Sequence, residues 1–358
     1  MGSTTATQRE QSRPIRVGVV GLGYFGTFHA QKYAALPGCE LVAVVDRNLE
    51  GAEKFALEHG AQVYTDYRDL IGRVDAVSIV TPVAEHYPVA KELLLAGVHV
   101  LVEKAITETT EQADELVQLA KNRGLVLQVG HLERFNPAFS QRPTDLSAPT
   151  YIETHRLTGF REHTTNVSVV MDLMVHDLDL VHTLVGSPVK KVEAKGVSVY
   201  SDSLDLVNAV VHFESGTVAN LTASRVSLKP QRTIHLFQHQ RHTCLNMQNK
   251  SIVTERQKPD GSLDIETEQL ENADTLRAEV QAFLHAIQSG SQPVVSGEDG
   301  RRALDTAIRI AQAVEQGRHC HEPLTVSDGE RRCYVTHDCH PETREPFFSR
   351  TSLVKETE

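Results

Sequence analysis

The sequence lacks the long apolar run that a membrane span requires. Every apolar stretch falls short of the ~18 consecutive residues that cross a bilayer as a helix. The first residues, MGSTTATQREQSR, also contain no apolar segment, so they do not resemble a secretory signal. We therefore expect a protein without a membrane partner, and we predict that residues 1–13 form a disordered lead-in.

Basic charge and cysteine are also scarce. The formal net charge is −11, which argues against nucleic acid as the main partner. The five cysteines are odd in number and scattered, so they do not suggest a disulfide framework, and we expect a reducing, cytoplasmic setting. With 40% apolar and 23% charged residues in a chain of 358, the composition is that of a globular protein with room for two domains.

The clearest motif lies near the start of the chain. The apolar run 15–20 is followed at once by three glycines in G-x-G-x-x-G spacing, between a candidate strand and a candidate helix. In this motif the glycines make a tight turn, allow close approach of a pyrophosphate and let the helix pack on the strand. A purely structural glycine turn is the alternative for the glycines alone. The predicted cofactor contacts in this segment are Gly21, Gly23, Tyr24, Phe25 and Gly26.

A second signal follows at the expected distance. The apolar run 41–45 ends in Asp46, which lies 20 residues beyond Gly26. An acid at this point accepts hydrogen bonds from an adenosine ribose and repels a 2′-phosphate, which favours NAD over NADP. Arg47 is the counter-signal, because a guanidinium beside Asp46 stabilises a 2′-phosphate.

Strand and helix patterns alternate at short spacing through the first third of the chain. The strand candidates are continuous apolar runs, as expected where helices cover both faces of a sheet. We predict an α/β dinucleotide-binding domain of the Rossmann type, with a doubly wound parallel sheet, over residues 14–135. Its predicted strands are 15–20, 41–45, 62–64, 75–80, 98–102 and 125–129, and its predicted helices are 24–36, 49–59, 84–96 and 109–123.

The pattern changes after a crossing segment, residues 134–150, that carries three prolines and no sustained periodicity. We predict a C-terminal α+β domain with a largely antiparallel sheet over residues 136–326, and a polar tail over 327–358. Its predicted strands are 151–157, 189–200, 206–213, 217–223 and 233–237, and its predicted helices are 168–185, 274–289 and 299–316.

Ligands of an open α/β sheet bind outside the carboxyl ends of its strands, and two predicted loops lie there. Thr81 and Pro82, with His86 nearby, follow one strand, and Glu103 and Lys104 follow the next. We predict that all five contribute to the cofactor site, with the lysine pointing toward the nicotinamide. The alternatives are a tight turn for the first loop and a solvated lysine for the second.

The predicted helix 168–185 carries a second candidate site. Asp172, His176, Asp179 and Thr183 share a face away from its apolar face, and the first two are one turn apart. In the functional interpretation His176 accepts a hydroxyl proton, and Asp172 holds a substrate hydroxyl or orients the imidazole. A solvent-facing stripe of ordinary polar residues is the alternative.

Two further features concern charge and metal. Residues 215–254 contain no Asp or Glu although the chain is acidic, which suits a diphosphate or carboxylate substrate, an oligomer interface, or chance. Seven His and Cys residues between 319 and 340 lack paired metal-ligand spacing, so we predict a polar tail there and no metal site.

Four segments, VGLGYFGTFHA, VTPVAEH, LVEKA and MDLMVHDLDLV, together resemble the Gfo/Idh/MocA family of NAD(P)-dependent oxidoreductases. The E-K-P signature of that family corresponds to Glu103-Lys104-Ala105, and its D-x-x-x-H signature corresponds to Asp172 and His176. The resemblance implies that Lys104, Asp172 and His176 are the catalytic residues and meet around the substrate. Ala105 departs from the family, whose proline fixes the loop that presents the lysine.

Within the family, VGHLERFNPAF, VSVVMDLMVHDLDLV and LTASRVS are most similar to enzymes that oxidise the 3-hydroxyl of UDP-N-acetylglucosamine. That similarity implies a UDP-sugar substrate, NAD as cofactor, a homodimer or homotetramer, and a pathway aminotransferase in diamino-sugar lipid A synthesis. The alternatives are an inositol-type polyol dehydrogenase and, from another class, a non-catalytic NAD-sensing regulator. The candidate substrate-binding residues are Arg134, Asn136, Arg161, Arg225 and Lys229.

Overall fold

The computed structural model describes residues 13–146, 149–161 and 166–318, which fall into two compact units. The first unit contains residues 13–106, 111–132 and 274–297. The second unit contains residues 107–110, 133–273 and 298–318, apart from the gaps just named. No helix in the described stretches is both long and apolar enough to pass through a bilayer.

The first unit is built on a six-stranded parallel sheet in the order β3-β2-β1-β4-β5-β6. This order confirms the predicted doubly wound sheet, because the chain reverses direction across the sheet between β1 and β4. The strands are β1 Ile15–Val20, β2 Cys39–Val45, β3 Gln62–Tyr64, β4 Ala76–Ile79, β5 His99–Glu103 and β6 Leu127–Gly130. The helices are α1 Tyr24–Ala35, α2 Leu49–His59, α3 Val83–Leu95 and α4 Thr110–Arg123.

Three strands of this sheet, β1, β4 and the edge strand β6, are almost entirely buried, which explains their apolar sequences. All four residues of β4 and of β6 are buried, and five of the six in β1. A long C-terminal helix, α7 (Thr275–Ser289), packs against α1, and its Phe283 and Val280 are fully buried in the same core. The predicted domain boundary placed residues 274–297 in the second domain, whereas the structure places them in the first unit.

The second unit is built on an eight-stranded sheet in the order β14-β13-β12-β11-β7-β10-β9-β8. The pair β7 and β10 is parallel and the other neighbouring pairs are antiparallel, as predicted for a largely antiparallel sheet. Buried and half-exposed residues alternate along β7 and β9, so one face of the sheet is covered. The strands are β7 Tyr151–Leu157, β8 Val189–Val197, β9 Leu206–Phe213, β10 Val218–Ser224, β11 Gln231–Gln238, β12 Arg241–Asn246, β13 Ser251–Gln257 and β14 Leu263–Gln269.

The helix predicted over 168–185 consists of two parts. A π-helical turn, Val170–Met174, leads directly into α6, Val175–Val185. The π turn packs against β10 and α6 packs against β7, so this segment covers the sheet. The remaining helices are α5 Pro137–Ser140 and α8 Gly297–Arg318.

Candidate active site

A cleft of about 530 Å³ opens in the first unit at the carboxyl ends of β1, β2 and β4. Its lining includes Gly21, Gly23 and Asp46, together with Thr81 and Pro82 from the loop after β4. The cleft therefore lies at the reversal of strand order, the position where open α/β sheets bind their ligands.

The three motif glycines meet different steric conditions. Gly21 has φ +89°, and a Cβ there would lie 2.5 Å from the carbonyl oxygen of Val80. A Cβ at Gly26 would overlap the carbonyl oxygen of Gly21, so the close packing of α1 on β1 excludes a side chain. Gly23 has no heavy atom within 4 Å of its Cβ position, which leaves open space before the first turn of α1. This is the room that a pyrophosphate requires at a helix N-terminus.

Asp46 joins the glycine turn to the end of β2. Its Oδ2 accepts a hydrogen bond from the backbone N–H of Leu22 at 2.6 Å, and its Oδ1 accepts one from Asn48 at 2.8 Å. Each carboxylate oxygen keeps a further lone pair for a ribose hydroxyl. Arg47, which is 87% exposed, lies 3.2 Å from a carboxylate oxygen of Glu85. Arg68 also lines the cleft and pairs with Asp66 and Glu92, so each of these two guanidinium groups has an acidic partner.

The other predicted cofactor residues of the first unit lie in different surroundings. Thr81 and Pro82 line the cleft, and the buried hydroxyl of Thr81 has no hydrogen-bond partner among the described residues. Tyr24 is exposed beside the glycine turn, and Phe25 packs partly into the core. These positions are compatible with cofactor contact for Thr81, Pro82 and Tyr24.

His86 is placed differently from the prediction. Its imidazole is fully buried, with Nδ1 2.8 Å from the carbonyl oxygen of Ala105 and Nε2 2.9 Å from that of Thr81. Burial lowers the pKa of His86. The side chain therefore ties the loop after β4 to the loop after β5, with a backbone carbonyl beside each ring nitrogen. Ala105, which stands where the family has proline, is held through this contact.

Glu103 also faces inward. Its Oε1 lies 3.1 Å from Nε2 of His29, and its Oε2 accepts a hydrogen bond from the backbone N–H of Lys104 at 3.3 Å. A third titratable side chain, the fully buried Glu279 of α7, reaches the same place. Glu103 thus belongs to a buried cluster beneath Lys104, in contrast to its predicted contact with the cofactor.

In the second unit, Asp172 and His176 are half-buried on a segment that is otherwise almost entirely buried. Asp172 lies in the π turn and His176 in the first turn of α6. Inserted π turns occur frequently at functional sites, because they change which side chains one face presents. Asp172 also lies near enough to the Arg225 guanidinium to act on its pKa.

Asp179 and Arg134 form a buried pair. The guanidinium donates to both carboxylate oxygens of Asp179, at 2.6 and 2.8 Å, and lies 3.5 Å from Asp299. The two side chains are 1% and 8% exposed. This pairing argues against Arg134 as a ligand for a diphosphate, and it shows that Asp179, one of the four residues of the predicted polar face, is not solvated.

Two more candidate substrate residues have structural partners. The Asn136 side chain caps α5 and donates to the carbonyl of Met247. Arg225 is 2% exposed, and its guanidinium donates to the carbonyl oxygens of Val167 and Leu204. Burial lowers the pKa of Arg225. Both side chains are occupied in holding loops together.

Arg161 and Lys229 remain exposed. They lie in the loops that follow β7 and β10, and the parallel pairing of these strands sends both loops out of the same end of the sheet. The loops are joined by a hydrogen bond from the N–H of Ser227 to the carbonyl of Thr158 at 2.9 Å. This end of the second unit therefore presents basic charge.

The second unit contains another buried ionic network, which no sequence pattern had indicated. Arg156 donates to Asp177 at 2.7 and 2.9 Å and to Glu133 at 2.9 Å, with all three side chains buried. Although burial acts to raise it, the charge of Arg156 holds the pKa of Glu133 below its usual value. The network anchors α6 to β7 and thereby fixes the helix that carries His176.

One group of side chains among the described residues has the geometry to hold a metal ion, namely His29, Glu103 and Glu279. The His and Cys residues of the tail, which we predicted not to bind metal, lie outside the described residues.

Two family profiles match the chain. Residues 15–131 match the GFO/IDH/MocA oxidoreductase family with an NAD-binding Rossmann fold, and residues 145–241 match the GFO/IDH/MocA C-terminal domain.

Individual relatives align with most of the chain. A UDP-N-acetylglucosamine 3-dehydrogenase of Acidithiobacillus ferrooxidans is 39% identical over 307 residues, which is 84% of this chain and 97% of that protein. Its solved structure, GnnA, superposes with a TM-score of 0.80 and covers 84% of this chain and 98% of that one. A myo-inositol 2-dehydrogenase of Thermotoga maritima is 26% identical, covering 85% of this chain and 97% of that protein.

Proposed function

The chain belongs to the Gfo/Idh/MocA family of NAD-binding oxidoreductases, and from this premise we propose that it oxidises the 3-hydroxyl of UDP-N-acetylglucosamine with NAD. Such an enzyme converts a secondary alcohol to a ketone, which is the CH–OH chemistry of the family. The proposed substrate rests on the 39% identity to a UDP-N-acetylglucosamine 3-dehydrogenase, which covers 84% of this chain and 97% of that protein.

The first unit suits a dinucleotide. The open space at Gly23 accommodates the pyrophosphate, and the carboxylate of Asp46 has lone pairs for the adenosine ribose. When bound, the nicotinamide accepts the hydride. We propose NAD in preference to NADP because Asp46 repels a 2′-phosphate and because Glu85 already pairs with Arg47.

The reaction needs a proton acceptor and a group that polarises the oxygen. As the C3 hydrogen leaves as hydride, the C3 hydroxyl loses its proton, and we assign that proton to the imidazole of His176. Asp172 orients the imidazole or holds a neighbouring hydroxyl, and the Lys104 ammonium stabilises the developing negative charge on the oxygen. The Arg156 network keeps His176 in place because it anchors α6.

The diphosphate needs cations that a ligand can reach from solvent. Arg161 and Lys229 are exposed on adjacent loops of the second unit, so we assign the diphosphate to them and no longer to Arg134 or Arg225. The ketone product is a substrate for amine transfer, which fits an aminotransferase partner in diamino-sugar lipid A synthesis. A homodimer or homotetramer and a cytoplasmic location remain predictions.

A polyol dehydrogenase is the second candidate, and the similarity to inositol 2-dehydrogenases favours it. A polyol enzyme has no use for the exposed cations of the second unit. UDP alone therefore separates the two, since it inhibits a nucleotide-sugar dehydrogenase competitively and leaves a polyol dehydrogenase unaffected.

The catalytic assignment is tested with Lys104→Met and His176→Asn. We expect each variant to lose at least about a hundredfold in kcat, the size typical of a lost acid–base or electrostatic contribution. NADH binding, followed by its fluorescence, should stay within about twofold because neither change removes the glycine turn. Lys54→Met and His59→Asn, both on exposed positions of α2, are the matched controls. Loss of NADH binding in the Lys104 and His176 variants would contradict the assignment.

A further inference from the structure

Three titratable side chains meet beneath Lys104, and the mechanism above uses none of them. They are His29 of α1, Glu103 at the end of β5 and Glu279 of α7. Their nearest ligand atoms all lie within 4.8 Å of one another. Glu279 comes from a segment more than 170 residues beyond Glu103, and it joins the Glu103 carboxyl group and the His29 imidazole in the first unit.

Glu279 is the unusual member of this triad. It is fully buried, and neither of its carboxyl oxygens has a hydrogen-bond partner among the described residues. Its backbone carbonyl, in contrast, accepts a hydrogen bond from the side chain of Gln128 at 3.1 Å, so α7 is fixed at this point. Burial, together with the nearby charge of Glu103, raises the pKa of Glu279 well above its usual value. A second ionised carboxylate in this position would be uncompensated.

Glu103 is held on three sides. His29 contacts one oxygen and the backbone N–H of Lys104 donates to the other. The third neighbour of the Glu103 carboxylate is Gly130, where an added Cβ would lie 2.5 Å from Oε1 of Glu103. A glycine at this position therefore leaves the room that the carboxylate occupies.

His29 is fixed in turn from the core. Its Nδ1 lies 3.2 Å from the hydroxyl of Ser78, which lies 2.8 Å from the hydroxyl of Tyr33. A continuous chain of polar contacts thus runs from the buried Tyr33 to the backbone of Lys104. The carboxyl group of Glu279 lies next to this series of polar contacts but is not hydrogen-bonded to it.

We propose that Glu279 is a positioning residue for Lys104, a neutral acid whose proton is shared with the Glu103 carboxylate. The O–H of Glu279 donates to Glu103 after a small rotation of its side chain, and the shared proton removes the repulsion between the two carboxyl groups. Glu103 is thereby kept in the orientation that holds the Lys104 N–H. This role rests on the proposed catalytic function of Lys104.

The same donor set would also suit a divalent cation, and that is the alternative to exclude. A cation needs Glu279 ionised, whereas a shared proton needs it neutral. The substitution Glu279→Gln separates the two, because an amide keeps a hydrogen-bond donor and the shape of the acid but cannot bear the charge. Glu279→Leu keeps the volume and removes the donor.

The kinetic test compares the two variants in the full-length protein. We expect Glu279→Gln to keep kcat within about threefold of the parent and Glu279→Leu to lose about 10- to 100-fold in kcat, as for a misplaced catalytic group. The KM for the UDP-sugar should change little in both. Equal loss in both variants, or a loss in proportion to a lowered melting temperature, would overturn the positioning role.

A measurement without substrate keeps this test independent of the proposed function. Infrared difference spectra at neutral pH should show the C=O stretch of a protonated carboxylic acid in the parent protein and lack it in Glu279→Gln. Absence of that band in the parent overturns the proposal even if the enzyme is active. Its presence supports the shared proton even if UDP-N-acetylglucosamine is not the substrate.

The cation is tested with the same two proteins. After treatment with EDTA, the parent protein should show no rise in melting temperature on addition of Mn²⁺, Zn²⁺ or Mg²⁺. A rise that Glu279→Gln abolishes would assign the triad to a metal ion and overturn the shared proton.

Discussion

The clearest quantitative prediction concerns Arg134. The sequence favoured it as a ligand for the substrate diphosphate, whereas the structure buries its guanidinium against Asp179 and Asp299. Replacement by methionine, a side chain of similar length without charge, distinguishes the two roles. If Arg134 stabilises the fold through this pair, Arg134→Met lowers the free energy of unfolding. If Arg134 binds substrate, the same change raises KM and leaves stability intact.

The size of the loss follows from what the substitution leaves behind. Asp179 is 1% exposed, and its two oxygens accept the guanidinium at 2.6 and 2.8 Å. Removing one partner of such a pair strands a buried charge and costs about 3–5 kcal/mol. Because domains have a total stability of only about 5–15 kcal/mol, a loss of this size is large.

Urea denaturation, monitored by circular dichroism, measures the loss in unfolding free energy. It should appear as a lower urea concentration at the midpoint of unfolding, with an unchanged dependence of the free energy on urea. The double variant Arg134→Met/Asp179→Leu should recover much of it, because no uncompensated charge remains at position 179. Arg123→Met, at the exposed end of α4, is the matched control, since replacement of an exposed arginine changes stability by less than about 0.5 kcal/mol. Unchanged stability in Arg134→Met with a rise in KM of tenfold or more would refute the structural role.

Two further predictions concern pH and the cofactor. Burial, followed by the charge of Arg302, lowers the pKa of His182 from 6.5 to about 4 in the folded protein, so stability is lost as pH falls from 6.5 toward 4. The parent protein should lose about 2 kcal/mol of unfolding free energy between pH 7 and pH 5 through this group. His182→Gln, which keeps a partner for Thr306, should not show that loss in urea denaturation, and equal losses in parent and variant would contradict the prediction. Gly23→Ala should weaken NADH binding roughly tenfold, or about 1.4 kcal/mol, without lowering the melting temperature, because its Cβ meets only open space. Gly51→Ala, at a similarly open glycine in the first turn of α2, should leave NADH binding unchanged, and equal binding by both variants would place the pyrophosphate elsewhere.

The first unit was largely predictable because its signals are local. The apolar runs became the buried strands of a parallel sheet, and the glycine motif and Asp46 face one cleft at the reversal of strand order. The resemblance to the Gfo/Idh/MocA family is confirmed by both family profiles. The local pattern predicted the helix α7 but not that it packs in the first unit, because it comes from far along the chain.

In the second unit the predictions were weaker where burial is one-sided. The strands β12 to β14 were not predicted, and β14 is exposed at every residue, so it has no apolar alternation to detect. The π turn before α6 was not foreseeable either, because its sequence repeats the apolar spacing of an ordinary helix.

Charged residues were the least predictable part of the site. Arg134 and Arg225 were assigned to a ligand because cations suit a diphosphate, and Glu103 because it follows a strand at the carboxyl edge of the sheet. Each is held instead by partners from distant segments, which only the folded chain brings together. The sequence likewise did not indicate the two carbonyl partners of His86, which lie in separate loops.

The central claim is that the hydrogen at C3 of the sugar leaves as hydride. UDP-N-acetylglucosamine deuterated at C3, incubated with the protein and NAD, tests it directly by mass spectrometry of the reduced cofactor. We predict that the NADH formed carries the deuterium and that a 3-keto sugar nucleotide accumulates. Reduced cofactor without deuterium, or none at all while inositol is oxidised, would contradict the proposed function.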